Sequence, residues 1–269
     1  MNGTAPRALA WLFGAAVVLA ACAPAIADER LPASRAATAV PIARRAVTAT
    51  RRPSPLPLAT PVPTATPIPQ PFALNLYQDG DFVPQYTFDW CVAASIQIAH
   101  NLLDDTGGGT WADRGHQGEL WEMARARSSN SFNGANPFGW AEVLGAVGLG
   151  PYAVVSVPDY EEALRTAARA IAETGRPVGL VMWRGRHAWV MSGFESLGDP
   201  AAVPNFAVTG IRVQDPLYPH GSGRWGPSPA PNSLLTPAEL ATQFVVREPR
   251  RWSSGLPTGY LLVLPLADD

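Results

Sequence analysis

No lysine occurs in the chain; all 20 basic residues are arginine, set against 22 acids and four histidines for a net charge of −2 over 269 residues. We read that absence as composition and not mechanism. Cysteine is nearly as scarce: Cys22 and Cys91 are the only two. No paired Cys/His spacing exists for a structural zinc site. The glycine run at 107–109 lacks the lysine and serine of a phosphate-binding loop. Asp104, Asp105 and Asp113 are spaced unlike any standard calcium loop and read as a solvated acidic turn. Neither a metal nor a cofactor is expected. Beyond the N-terminal stretch no apolar run is long enough to span a bilayer, and no internal repeat is present.

What is present divides the chain into three. Residues 1–21 have a positive start at Arg7, an apolar run over 8–20 and the ending Leu19-Ala20-Ala21-Cys22. The run is short for a membrane span and fits a secretory signal. Its ending resembles a bacterial lipoprotein lipobox, which implies cleavage before Cys22, lipid on its sulfur and anchoring at the extracytoplasmic face of the cell membrane. Ala25-Ile26-Ala27 offers a second cleavage site that would release a secreted protein. Residues 22–72 form a tether rich in Pro, Ala and Thr, extended and unable to bury a core. Six arginines against two acids give it a net +4. Residues 73–269 carry 13 arginines against 20 acids, a net −7 that argues against nucleic acid as a partner. That length supports one substantial core, and a monomer is expected.

Within this domain, helical spacing is expected over 91–103, with Asp89 as N-cap, then over 117–127, from Pro137 behind the cap Asn136 to about Gly148, and over 159–174, ended by Gly175. Strands are expected over 177–183, 187–194, 206–214 and 259–264, with a capping box at Thr236 to Glu239 between the last two. Helices first and antiparallel strands later indicate an α+β domain. Residues 216–231 read as a long Pro/Gly-rich surface loop.

On either cleavage route Cys91 has no disulfide partner. An unpaired exported thiol is prone to oxidation, so a functional role competes with that of a small buried hydrophobe. The order Cys91, His187, Asp215, with Gln85 six residues ahead of the thiol, suits acyl transfer. The thiolate is the nucleophile, and a helix N-terminus and an imidazolium both favour it. His187 would supply the imidazolium and protonate the leaving amine, Asp215 would fix its tautomer, and the Gln85 amide with the Cys91 backbone N–H would meet the oxyanion. His100 reads as a helix residue, and His116 and His220 as solvated loop histidines. Asn205 is a weaker candidate than Asp215 to orient the imidazole. Trp140, Trp183, Trp189 and Trp225 are candidates for a substrate groove or for the core.

Val83-Pro84-Gln85, Cys91 with Ala94-Ser95, Gly175-Arg176-Pro177-Val178, His187-Ala188-Trp189-Val190 with Gly193-Phe194, and Asp215-Pro216 together resemble the papain-like cysteine peptidases, most closely the C39-like branch. The similarity covers about residues 80–218. It implies a papain-like fold with the site between a helical lobe and a β lobe. It also implies that Cys91 is the nucleophile, His187 the base, Asp215 the orienting residue and Gln85 the oxyanion donor, with a peptide or protein as substrate. A transglutaminase-like acyl transferase uses the same residue order, and a silent peptide- or cell-wall-binding domain is the reading from another class.

Overall fold

The computed structural model describes residues 68–106, 109–128, 134–249 and 255–267. The expected signal peptide over 1–21, the lipidation site Cys22 and most of the tether lie outside the described residues. No helix among the described residues is long and apolar enough to cross a membrane.

The elements run β1 (Pro71–Asn75), α1 (Cys91–Asn101), α2 (Arg114–Ala126), α3 (Pro137–Ala146), β2 (Tyr152–Val157), α4 (Tyr160–Thr174), β3 (Val178–Met182) and β4 (His187–Leu197). There follow β5 (Ala207–Gln214), the two-residue strands β6 (Gly221–Ser222) and β7 (Gly226–Pro227), β8 (Ser233–Leu235), α5 (Pro237–Ala241) and β9 (Tyr260–Pro265). This is an α+β arrangement with an antiparallel sheet. Its strand order is β2-β9-β3-β4-β5-β8, and β1 also pairs with β4. β3 takes His187–Met191 of β4 and β1 takes Gly193–Leu197, so two strands divide the length of one.

Side-chain alternation along the central strands builds two cores. Leu180 and Met182 of β3, Trp189 and Met191 of β4, and Leu262 and Leu264 of β9 pack with α4. Val181, Ala188, Val190, Leu261 and Val263 face the other way and pack with α1 to α3. β3 is therefore buried on both faces and reads as an unbroken apolar run. Gly179 lets the Trp140 ring lie against this strand, since a Cβ there would come within 2.5 Å of the indole.

Several expected elements stand where the sequence places them: α3 behind Asn136, whose side chain accepts from the Phe138 and Gly139 N–H groups, α4 capped by Asp159, and the capping box of α5. Gly175 ends α4 in the left-handed region at φ 66°, which glycine adopts without a Cβ penalty. Other expectations are corrected. Asp89 does not cap α1: Trp90 holds that position without a side-chain bond, and the Asp89 carboxylate accepts from the Thr87 hydroxyl at 2.8 Å. α2 begins at Arg114, capped by Asp113, so His116 belongs to its first turn and not to a loop. α3 ends at Ala146, and β4 continues to Leu197. The stretch 216–231 contains the small β6–β7 hairpin. β1, β2 and β8 are additions to the expected set, and β2 between α3 and α4 breaks the simple order of helices first.

Candidate active site

Cys91 is the first residue of α1. This helix is buried on nearly every side, against α2, α3 and β4. Asn101 ties its far end to the surrounding chain: the amide donates to the Asp81 and Trp111 carbonyls, both at 3.2 Å, and accepts from the Trp111 N–H at 2.9 Å. So firmly held a helix presents its N-terminal end, and the partial positive charge there, at a fixed place. Cys91 itself is half-buried and free of any disulfide. It lines a cavity of about 430 Å³ that it shares with His187. Val92, Ala135, Trp140 and Val181 give that cavity an apolar wall, while Phe88, 88% exposed, stands at its rim with Asp89 and Arg186.

His187 opens β4 directly after the β3–β4 turn, and Asp215 follows the last residue of β5. Neighbouring strands thus bring residues far apart in sequence together, and His187 Nε2 lies 2.7 Å from Asp215 Oδ1. The same oxygen accepts the Leu217 N–H at 2.9 Å, so Asp215 serves the turn and the imidazole at once. Asp215 is fully buried and His187 nearly so. With Nε2 committed to the carboxylate, Nδ1 is the ring nitrogen left for the sulfur. Burial alone would depress the pKa of His187. The hydrogen bond to Asp215, the interaction with Cys91 and the charge of the carboxylate outweigh it and raise the value to about 9. Near neutral pH the ring is therefore an imidazolium between a carboxylate and a sulfur.

One face of that ring is covered. Trp183 stacks on His187 with centroids 4.1 Å apart and planes inclined by 22°. The Trp183 backbone holds φ 55°, a costly conformation for a bulky residue. Two bonds keep it there: the indole N–H donates to Gln243 Oε1 at 2.8 Å, and the Trp183 N–H donates to the Gln243 carbonyl at 3.0 Å. Of the other tryptophans, Trp140 walls the cavity, Trp189 is core and Trp225 lines a separate cavity beside Pro227.

Gln85 sits in the loop leading to Cys91, and its N–H donates to the Pro216 carbonyl at 2.8 Å, next to Asp215. Its side-chain amide donates to the Thr87 and Phe88 carbonyls, both at 2.9 Å. Both amide protons are thus engaged within the loop, and an oxyanion at the site would have to take one of them. His100 stacks on Trp111 at 3.7 Å, and His116 meets the same indole edge-on. No cluster of three or more His, Cys, Asp or Glu suited to a metal ion occurs among the described residues.

Sequence reasoning missed Gln243, Gln117 and the stacking role of Trp183, and no signal in the sequence marks them: a glutamine that bonds across the fold reads like any polar residue. Comparison of the chain with models of known families, with curated proteins and with solved structures gave no match.

Proposed function

We propose that the protein is an exported thiol hydrolase of papain-like design that cleaves peptide or related amide bonds, held at the outer face of the membrane by lipid on Cys22. The observation that carries this reading is the 2.7 Å His187–Asp215 bond set beside a half-buried Cys91 in one cavity. A structural histidine needs no sulfur next to it, and a structural cysteine needs no imidazolium.

In the proposed cycle the Cys91 thiolate attacks the scissile carbonyl carbon. The negative oxygen is met by the Cys91 backbone N–H at the start of α1 and by one proton of the Gln85 amide, exchanged from its loop carbonyl. His187 Nδ1–H protonates the departing amine, leaving a thioester on the sulfur. Neutral His187 then takes a proton from water, the hydroxide adds to the thioester carbon, and collapse releases the acid and restores the thiolate–imidazolium pair. Asp215 keeps the ring oriented throughout by holding Nε2–H. The apolar wall formed by Val92, Ala135, Trp140 and Val181 favours substrates with an apolar side chain near the scissile bond.

The test is proteolysis of a peptide pool from denatured protein, read by mass spectrometry, with the full chain and its Cys91→Ala variant. The reading requires new peptide termini that vanish in the variant while its melting temperature is kept. Cleavage that persists without the sulfur would discard it. Adding a primary amine such as cadaverine separates hydrolysis from acyl transfer, since a transferase would build the amine into the products.

A further inference from the structure

Two glutamine side chains with no solvent exposure, Gln97 and Gln117, lie beneath the loop that carries Gln85. Gln117, on α2, engages both the oxygen and the nitrogen of its amide. Its Oε1 accepts the Tyr86 N–H at 2.8 Å, and its Nε2 donates to the Pro84 carbonyl at 3.1 Å and to Gln97 Oε1 at 2.7 Å. The two backbone groups belong to the residues flanking Gln85, so the amide pairs with the chain as a neighbouring strand would. Gln85 is fixed between them by its own N–H to the Pro216 carbonyl. Three consecutive residues are thereby each anchored by one backbone group, on one side to α2 and on the other to the segment that holds Asp215.

Gln97 completes the connection. It lies on α1, the helix that begins with Cys91, and its Nε2 donates to the Asp113 carbonyl at 3.0 Å, at the residue capping α2. An unbroken run of amide bonds therefore leads from the helix of the nucleophile through α2 to the backbone on both sides of Gln85. Apolar side chains in the same space would take away the partners of the Tyr86 N–H and the Pro84 carbonyl, so the amide of Gln117 fixes where this stretch of backbone lies. From Gln85 to Cys91 the loop is otherwise held by short-range bonds, by the Tyr86 hydroxyl on the Ala112 carbonyl and by Trp90 packed on α2 against Trp121 and Gly118.

We infer that Gln117, supported by Gln97, is a positioning residue that registers the Gln85 loop against Cys91 and so sets the oxyanion-binding geometry. The inference rests on the function proposed above. A displacement of the loop by about 1 Å would cost on the order of 10²-fold in the acyl-transfer step, because oxyanion donors act only within hydrogen-bond distance of the developing charge.

The experiment compares two reactions of the same sulfur in the full chain. p-Nitrophenyl acetate acylates Cys91 through a tetrahedral oxyanion: sulfur bonds to the acetyl carbon and p-nitrophenolate leaves, giving a burst of colour. Iodoacetamide alkylates the same sulfur by displacing iodide at a saturated carbon, with no oxyanion formed. In Gln117→Met, which keeps volume and loses both donor and acceptor, acylation should fall about 10²-fold while alkylation is unchanged. Should Gln117→Met not fold, Gln97→Met removes one bond of Gln117 and should give the same split with a smaller drop. Unchanged acylation in the variants, or acylation and alkylation falling together, overturns the inference. A wild-type sulfur inert to both reagents overturns the proposed function itself.

Discussion

Replacing Asp215 with asparagine isolates the charge behind the site while sparing its shape. The amide oxygen introduced by Asp215→Asn can still accept from His187 Nε2 and from the Leu217 N–H, the two bonds that Asp215 Oδ1 makes at 2.7 and 2.9 Å. What is lost is the negative charge, and with it the charge-assisted strength of the His187 bond that favours the protonated ring. His187 is raised from 6.5 to about 9 against the effect of its own burial, and the Asp215 hydrogen bond is the largest contribution raising it. Facing the ring from other elements are the sulfur of Cys91 on α1 and the Asp215 carboxylate after β5. The charged Arg186 precedes it and Arg184 in the same turn pairs with Glu248. A ring titrating at about 9 is almost wholly charged at about pH 7.5, whereas one at the ordinary 6.5 is charged in roughly a tenth of molecules. The chain has only four histidines, so NMR of the ring carbons follows each one directly. Wild-type His187 should titrate near 9, Asp215→Asn should move it most of the way to 6.5, Cys91→Ala should move it less, and the double variant should fall below 6.5 because burial is then unopposed. A wild-type value near 6.5, or one unmoved by Asp215→Asn, would refute the reasoning.

Other expectations follow from the same geometry. Because the folded-state value of His187 is raised, its contribution to stability, at most about 3 kcal/mol, is full below about pH 6.5 and lost as pH rises through about 9. Thermal melts of the wild type should show that decline, and melts of His187→Gln should lack it. Trp183→Leu removes the ring over His187 and the bond to Gln243, and should raise the titration midpoint of His187, because burial is the largest influence lowering it and water then reaches the ring; an unchanged midpoint assigns the stack to packing alone. Gln85→Ala should reduce acylation by p-nitrophenyl acetate on the order of 10²-fold and leave alkylation by iodoacetamide alone, and equal loss of both would remove Gln85 from the oxyanion role.

What the sequence revealed and what it hid divide along physical lines. Capped helices were legible because their signals are local: Asn136-Pro137, Asp159 and the Thr236–Glu239 box each satisfy N–H groups within a few residues. α1 was legible as a helix but not as a central one, since Gln97 and Asn101 look like a solvent face until their buried partners are known. β1 was hidden in a proline-rich stretch and exists because β4 is long enough to offer Gly193–Leu197 as a template. The pairing of His187 with Asp215 follows from β4 lying beside β5, a long-range fact that chain order alone suggested without fixing. The engagement of both Gln85 amide protons by Thr87 and Phe88 carbonyls had no trace in the spacing that singled Gln85 out.

The central claim is that a charged imidazole drives the reactivity of the Cys91 sulfur. Its most direct test is the rate of iodoacetamide alkylation of Cys91 at about pH 6, followed by intact-mass spectrometry, in the wild type and in His187→Gln, whose amide can still donate to Asp215. At that pH a thiol without an electrostatic partner is almost entirely protonated. The wild type should react at least about ten-fold faster than the variant. Equal rates in the two proteins would contradict the account.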